Sequence, residues 1–152
     1  MKNIFVRSFV SVFGLGYIPV APGTFGTLGG FLFWYFYARN MLPLHLLILT
    51  FVLIILSCYI STLAEKVYNE KDSQKIVIDE FCGYLVTILF AGKQLYVGLL
   101  GFALFRLFDI FKPWPVRNFE RLPKGTGVVM DDVMAGIYAG IILWIISILL
   151  GG

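Results

Sequence analysis

The chain has 152 residues, of which 59% are hydrophobic and only 14% charged, with a net charge of +3. Soluble domains run at about 45–50% apolar and about 25% charged residues, so an ordinary water-exposed surface is excluded and one membrane-embedded domain over residues 1–152 is expected. The basic excess is not gathered into a patch, which argues against nucleic acid as a partner and for lipid headgroups.

Residues 1–13 are apolar apart from Lys2 and Arg7. The apolar run is short, Arg7 breaks it and no clean cleavage site follows, so it reads as an interfacial or short buried helix, not a signal peptide. Residues 14–30, GLGYIPVAPGTFGTLGG, combine many glycines with two prolines and with Thr24 and Thr27. That composition breaks regular structure and frees backbone N–H groups. No Lys follows the glycines, so it is no Walker loop.

A first span is expected over residues 25–38 and a turn over 39–43. Residues 44–61 carry no formal charge, as a transmembrane helix requires. Residues 62–75 are polar, with Glu65, Lys66, Glu70, Lys71, Asp72 and Lys75. A third apolar segment, 76–91, starts with Asp79 and Glu80. From Asp79 it is roughly 20 Å of helix against a hydrocarbon core of about 30 Å, so both carboxylates fall at or inside the membrane boundary. Residues 95–111 form a fourth span, ended by Lys112 and Pro113, because the residue before proline avoids the α region. Residues 114–130 read as a loop and 131–150 as the last span.

The expected architecture is therefore an all-α integral membrane bundle of about five spans, with an N-terminal interfacial helix and a glycine-rich loop. With the N-terminus in the cytoplasm, Lys2, Arg7, Lys66, Lys71, Lys75, Arg106, Lys112, Arg117, Arg121 and Lys124 lie inside and only Arg39 and Lys93 outside, in accord with the positive-inside rule. All nine carboxylates also fall on the inner side. That rule does not require acidic residues, so their convergence points to one inner-face site.

Asp79 and Glu80 project about 100° apart on a helix, as do Asp131 and Asp132. Each pair has a plain alternative as a solvated or capped helix start. Oxygen ligands without imidazole or thiolate suit Mg²⁺, with Mn²⁺ as a substitute. Arg106, Asp109 and Lys112 run along one helix flank, either as an interfacial salt-bridge ladder or as phosphate-binding cations with Asp109 on the metal or bracing Arg106. Thr24 and Thr27 are either caps and turn residues or donors to an anion at a helix N-terminus. Gly136 and Gly140 read as a packing face. Cys58 and Cys82 read as small buried hydrophobes, and no phosphate-cradling loop ending in Arg follows Cys82. His45 is the only histidine, which excludes mechanisms that need two imidazoles.

Three blocks carry a resemblance: GYIPVAPGTFGT (residues 16–27), IDEFCG (78–83) and FRLFDIFKPWP…GTGVVMDDVMAG (105–136). Together they resemble the phosphatidylglycerophosphatase A family of bacterial lipid phosphatases. The family's acidic pairs fall on Asp79, Glu80, Asp131 and Asp132, its Arg, Asp and Lys on Arg106, Asp109 and Lys112, and its threonines on Thr24 and Thr27. The resemblance implies an all-helical fold in the bacterial cytoplasmic membrane and Mg²⁺-dependent removal of the terminal phosphate of phosphatidylglycerophosphate, giving phosphatidylglycerol. Lys124 and Gly125 depart from the pattern, where paired glycines are expected. The rival readings are a small cation transporter, which would want charges near the bilayer midplane and internal repeats, and a lipid-phosphate transferase.

Overall fold

A computed structural model describes residues 2–70 and 73–149 of the chain. Lys71, Asp72 and the last residue of the expected fifth span lie outside the described residues, as does the side chain of Lys2. Among the described residues every regular element is helical. The helices are α1 (Lys2–Val10), α2 (Pro22–Phe36), α3 (Pro43–Tyr68), α4 (Ile78–Ile88), α5 (Leu95–Phe111), α6 (Val116–Phe119) and α7 (Gly125–Leu149). Two short 3₁₀ turns, Leu15–Tyr17 and Ala38–Asn40, flank α2.

The five expected spans reduce to two. Among the described residues only α3, of 26 residues, and α7, of 25, are long and apolar enough to cross a membrane. The 15 residues of α2 and the 17 of α5 reach only about 22–26 Å, short of a core of about 30 Å. The third expected span is a different kind of element. Helix α4 has 11 residues, nine of them buried, and it packs against α2, α3, α5 and α7. Its apolar sequence reflects burial in protein.

Glycine lets α4 sit so deep. A Cβ on Gly136 of α7 would collide with the Gly83 carbonyl of α4, and one on Gly140 would come within 3.0 Å of the Thr87 carbonyl. On the other side, Gly26 and Gly30 of α2 lie against the backbone of Val77 and Phe81. Small residues at crossings bring helix backbones together, and here they bring α4 within backbone contact of both neighbours. Around this contact Tyr84, Leu85 and Phe105 are fully buried, and the Tyr84 hydroxyl donates to the Gly98 carbonyl at 3.1 Å. The Val77 N–H donates to the Val10 carbonyl at 2.8 Å, tying the start of α4 to the end of α1.

The last helix begins earlier than its sequence suggests. Residues 125–130 belong to α7, so Asp131 and Asp132 are its seventh and eighth residues and not its cap. The sequence GTG looks like loop. Its glycines are instead contact points, Gly125 against the backbone of Ser61 and Thr62, and Gly127 where a Cβ would lie 2.6 Å from the Leu122 carbonyl oxygen. In the same way α3 continues past the expected end of its span to Tyr68 and stops at Asn69, in the left-handed region at φ 53°.

Lys124, immediately before α7, also has a left-handed backbone at φ 61°. A side chain pays strain there that glycine does not, so the glycine that the resemblance leads one to expect at this position would suit the backbone. Lys124→Gly should therefore stabilise the fold by about 0.5–1 kcal/mol after the entropy of the freer unfolded chain is counted. That is about 2 °C in melting temperature, measurable by thermal unfolding in detergent. A lower melting temperature would contradict it.

Candidate functional site

Five carboxylates and two cationic side chains line one cavity of about 390 Å³. Asp79 and Glu80 come from the first turn of α4, Arg106 and Asp109 from the last turns of α5, Lys112 from its C-cap, and Asp131 and Asp132 from α7. Ala21, Pro22 and Gly23, where α2 begins, close another side. The first turn of a helix has backbone N–H groups without intrahelical partners and a positive dipole end. At α4 this end meets carboxylates directly, and the Glu80 N–H donates to Asp79 Oδ1 at 3.1 Å.

One carboxylate oxygen from each of Asp79, Glu80 and Asp132 lies within 4.8 Å of the others. Asp79 is 6% exposed and Asp132 3%, so solvent does little to screen their repulsion. Glu80 Oε2, Asp131 Oδ1 and Asp132 Oδ2 are buried with no hydrogen-bond partner. Buried acceptors without donors are costly. A hard divalent cation would satisfy both needs, because it would neutralise the charges and fill the free lone pairs. The all-oxygen donor set fits Mg²⁺ or Mn²⁺.

Asp131 stands beside this trio in a different role. Its Oδ2 accepts from Lys112 Nζ at 2.6 Å, and Glu120 Oε1 lies 4.0 Å from the same ammonium. Burial alone would lower the pKa of Lys112. The hydrogen bond and charge of Asp131, with the charges of Asp132 and Glu120, outweigh it and hold the ammonium above the usual lysine range. Lys112 therefore stays cationic at any physiological pH. It sits in the left-handed region at φ 42°, where the chain leaves α5 and its side chain reaches α7. Arg106 pairs with Asp109 one turn along α5, and its Nε is buried and free of any partner.

The structure thus brings together seven of the nine residues singled out from the sequence. Thr24 and Thr27 are not on the cavity wall. They lie in the first turns of α2, where the buried Thr27 hydroxyl donates to the Gly23 carbonyl at 2.9 Å. Cys82 is buried behind the site, with Ser57 Oγ 3.3 Å from its sulfur. Gly23 was hidden inside a glycine-rich stretch, yet a Cβ there would strike the Glu80 carboxylate and approach Arg106 Nη1 at 3.1 Å. Ser73, on the cavity wall, and Glu120, beside Lys112, also escaped notice, since nothing local marks their place near the site.

A family model described as "Phosphatidylglycerophosphatase A" matches residues 8–147. The Escherichia coli (strain K12) protein named phosphatidylglycerophosphatase A is 36% identical over 138 residues, covering 89% of this chain and 79% of its own length. The Haemophilus influenzae protein of the same name is 38% identical over 137 residues, covering 89% and 84%. A Bacteroides thetaiotaomicron protein with the provisional name phosphatidylinositol-3-phosphatase is 36% identical over 150 residues, covering 89% and 91%. No solved structure matches.

Proposed function

The chain belongs to the phosphatidylglycerophosphatase A family, and from that premise we propose that its acidic cavity hydrolyses the terminal phosphate of phosphatidylglycerophosphate to leave phosphatidylglycerol, with a divalent cation, Mg²⁺ or Mn²⁺, as cofactor. The observation that supports the metal is the close trio Asp79, Glu80 and Asp132, in which Glu80 Oε2 and Asp132 Oδ2 are buried without a hydrogen-bond partner. Five carboxylates face only two cations in the cavity. A phosphomonoester dianion would be repelled from that surplus of negative charge unless bound cations offset it.

Asp79, Glu80 and Asp132 would hold the cation, with Asp131 and Asp109 beside it. When bound, it would polarise a phosphoryl oxygen and lower the pKa of water. The remaining steps belong to the chain. Arg106 and Lys112 bind the phosphoryl oxygens, with Arg106 braced by Asp109 and Lys112 by Asp131. The start of α2 at Gly23 turns its positive dipole end toward the same anion. Asp131 has Oδ2 fixed by Lys112 and Oδ1 free, which suits it to take one proton from the attacking water. The water oxygen bonds to phosphorus as the bond from phosphorus to the glycerol oxygen breaks. The proton on Asp131 passes to that glycerol oxygen, and the second water proton stays with the released phosphate.

The site belongs at the cytoplasmic surface in this reading. Helices α3 and α7 touch where Ser61 and Thr62 meet Gly125, so the C-terminal end of one lies with the N-terminal end of the other. Lys66, Lys124 and the acidic cavity are all toward this end. Arg39 and Lys93 share a small cavity with Pro43 at the opposite end of α3. Lys66, Arg106, Lys112 and Lys124 thus lie toward the cavity end and Arg39 and Lys93 toward the other, a basic asymmetry that supports a cytoplasmic site.

Phosphate release in detergent tests the whole reading. The purified chain should release inorganic phosphate from phosphatidylglycerophosphate, and faster than from phosphatidylinositol 3-phosphate. Excess EDTA should lower the rate by about 100-fold or more, with recovery on added Mg²⁺. Full activity in chelator would remove the metal, and no release from either lipid would remove the phosphatase reading.

A further inference from the structure

We propose that an apolar groove beside the acidic cavity holds one acyl chain of the lipid whose phosphate that cavity removes. The inference rests on the phosphatase reading and extends it to the other end of the substrate. The groove encloses about 570 Å³ among α1, α2, α3 and α4, and no charged side chain lines it. Val12, Leu32, Phe33, Leu49, Ile78 and Phe81 are among its walls.

The groove shares two helices with the acidic cavity. On α4, Ile78 and Phe81 are three residues apart and face the groove, while Asp79 and Glu80 between them face the cavity. On α2, Gly23 borders the cavity, and Gly29, Leu32, Phe33 and Phe36 border the groove further along. The two spaces thus adjoin across a single helix, about 10–12 Å thick with its side chains. The glycerol and phosphodiester linkage between the terminal phosphate and the acyl esters of the substrate gives it the reach to cross this rim.

Composition selects the occupant. A peptide segment would need partners for its backbone N–H and C=O groups, and the groove's side chains offer only the Tyr37 hydroxyl. An acyl chain has no such groups to satisfy. The polarity also matches end for end, with cations and a helix N-terminus at the phosphate and aromatic and aliphatic walls at the chain. Gly29 helps keep the floor open, since a Cβ there would lie 2.9 Å from Leu15 Cδ1.

The test compares kcat/KM for long-chain phosphatidylglycerophosphate with that for its deacylated headgroup, glycerophosphoglycerophosphate. The protein is the purified full chain in detergent. Leu32→Trp fills the groove from α2, where Leu32 is 43% exposed and an indole can be accommodated. Leu49→Trp fills it from α3. In each folded variant the ratio of the two values should fall about tenfold, mainly through KM for the long-chain lipid. A ratio equal to that of the unmodified chain in either folded variant would overturn the groove assignment and leave the chain dissolved in bulk lipid. Failure of the unmodified chain to release phosphate from both compounds would instead overturn the phosphatase reading beneath it.

Discussion

Replacing Asp132 with asparagine should cut phosphate release by about 1,000-fold or more while leaving the protein folded. The substitution keeps the volume and removes one charge from three carboxylates whose oxygens lie within 4.8 Å. Without metal, losing that charge relieves repulsion in a buried site, so the melting temperature should be unchanged or higher. With metal the sign reverses. The unmodified chain gains stability from a ligand that binds only the folded state, and Asp132→Asn should lose that gain. The paired readings separate a metal ligand from a helix residue of structural value, which would lose activity and basal stability together. A variant with normal turnover and a normal Mg²⁺-induced rise in melting temperature would take Asp132 out of the site.

Gly136→Ala should also be damaging, by about 100-fold in rate, although Gly136 does not line the cavity. The added methyl would collide with the Gly83 carbonyl, and Val86 Cβ is 3.1 Å away. A backbone carbonyl cannot change rotamer to make room, so α4 and α7 must separate. Overpacking of this kind costs about 1–3 kcal/mol. It also pulls Asp132 away from Asp79 and Glu80, and a displacement near 1 Å at a reacting centre can cost about 100-fold in rate. Gly101→Ala is the control. Its added methyl would meet only side-chain atoms, at 3.2–3.7 Å, and should change activity by less than about threefold. Equal activity losses in the two variants would show that helix spacing does not control the site.

The site was more legible in the sequence than the fold was. Carboxylates inside apolar segments are expensive and therefore conspicuous, and this, with their convergence on one side and the family resemblance, picked out Asp79, Glu80, Asp109, Asp131 and Asp132. The bounds of the fourth expected span are those of α5, Leu95–Phe111, although that helix is too short to cross, because a proline two residues beyond its end is a local stop. The all-helical class was readable for the same reason, from long apolar runs separated by polar turns. Helix α4 was not readable as a core element. Burial in protein and burial in lipid select the same residues, and its true neighbours, Gly26, Gly30 and Gly136, are far away in sequence. The start of α7 failed through the opposite error. Gly125 and Gly127 have poor helix propensity, and contacts with Ser61, Thr62 and Leu122 override it. Thr27 shows a further limit, since a hydroxyl beside a candidate anion site can instead bond its own helix.

The position of α4 between α2 and α7 has a consequence for how the protein is made. Its walls are supplied by helices that leave the ribosome on either side of it, and α7 emerges last of the described elements. Until α7 is synthesised, Asp79 and Glu80 lack the helix that carries Asp131 and Asp132, and the flank of α4 formed by Gly83 and Val86 has no protein to cover it. An 11-residue helix is too short to wait across the bilayer by itself. The acidic cavity is therefore complete only once α7, the last of the described elements, packs against α3 and α4.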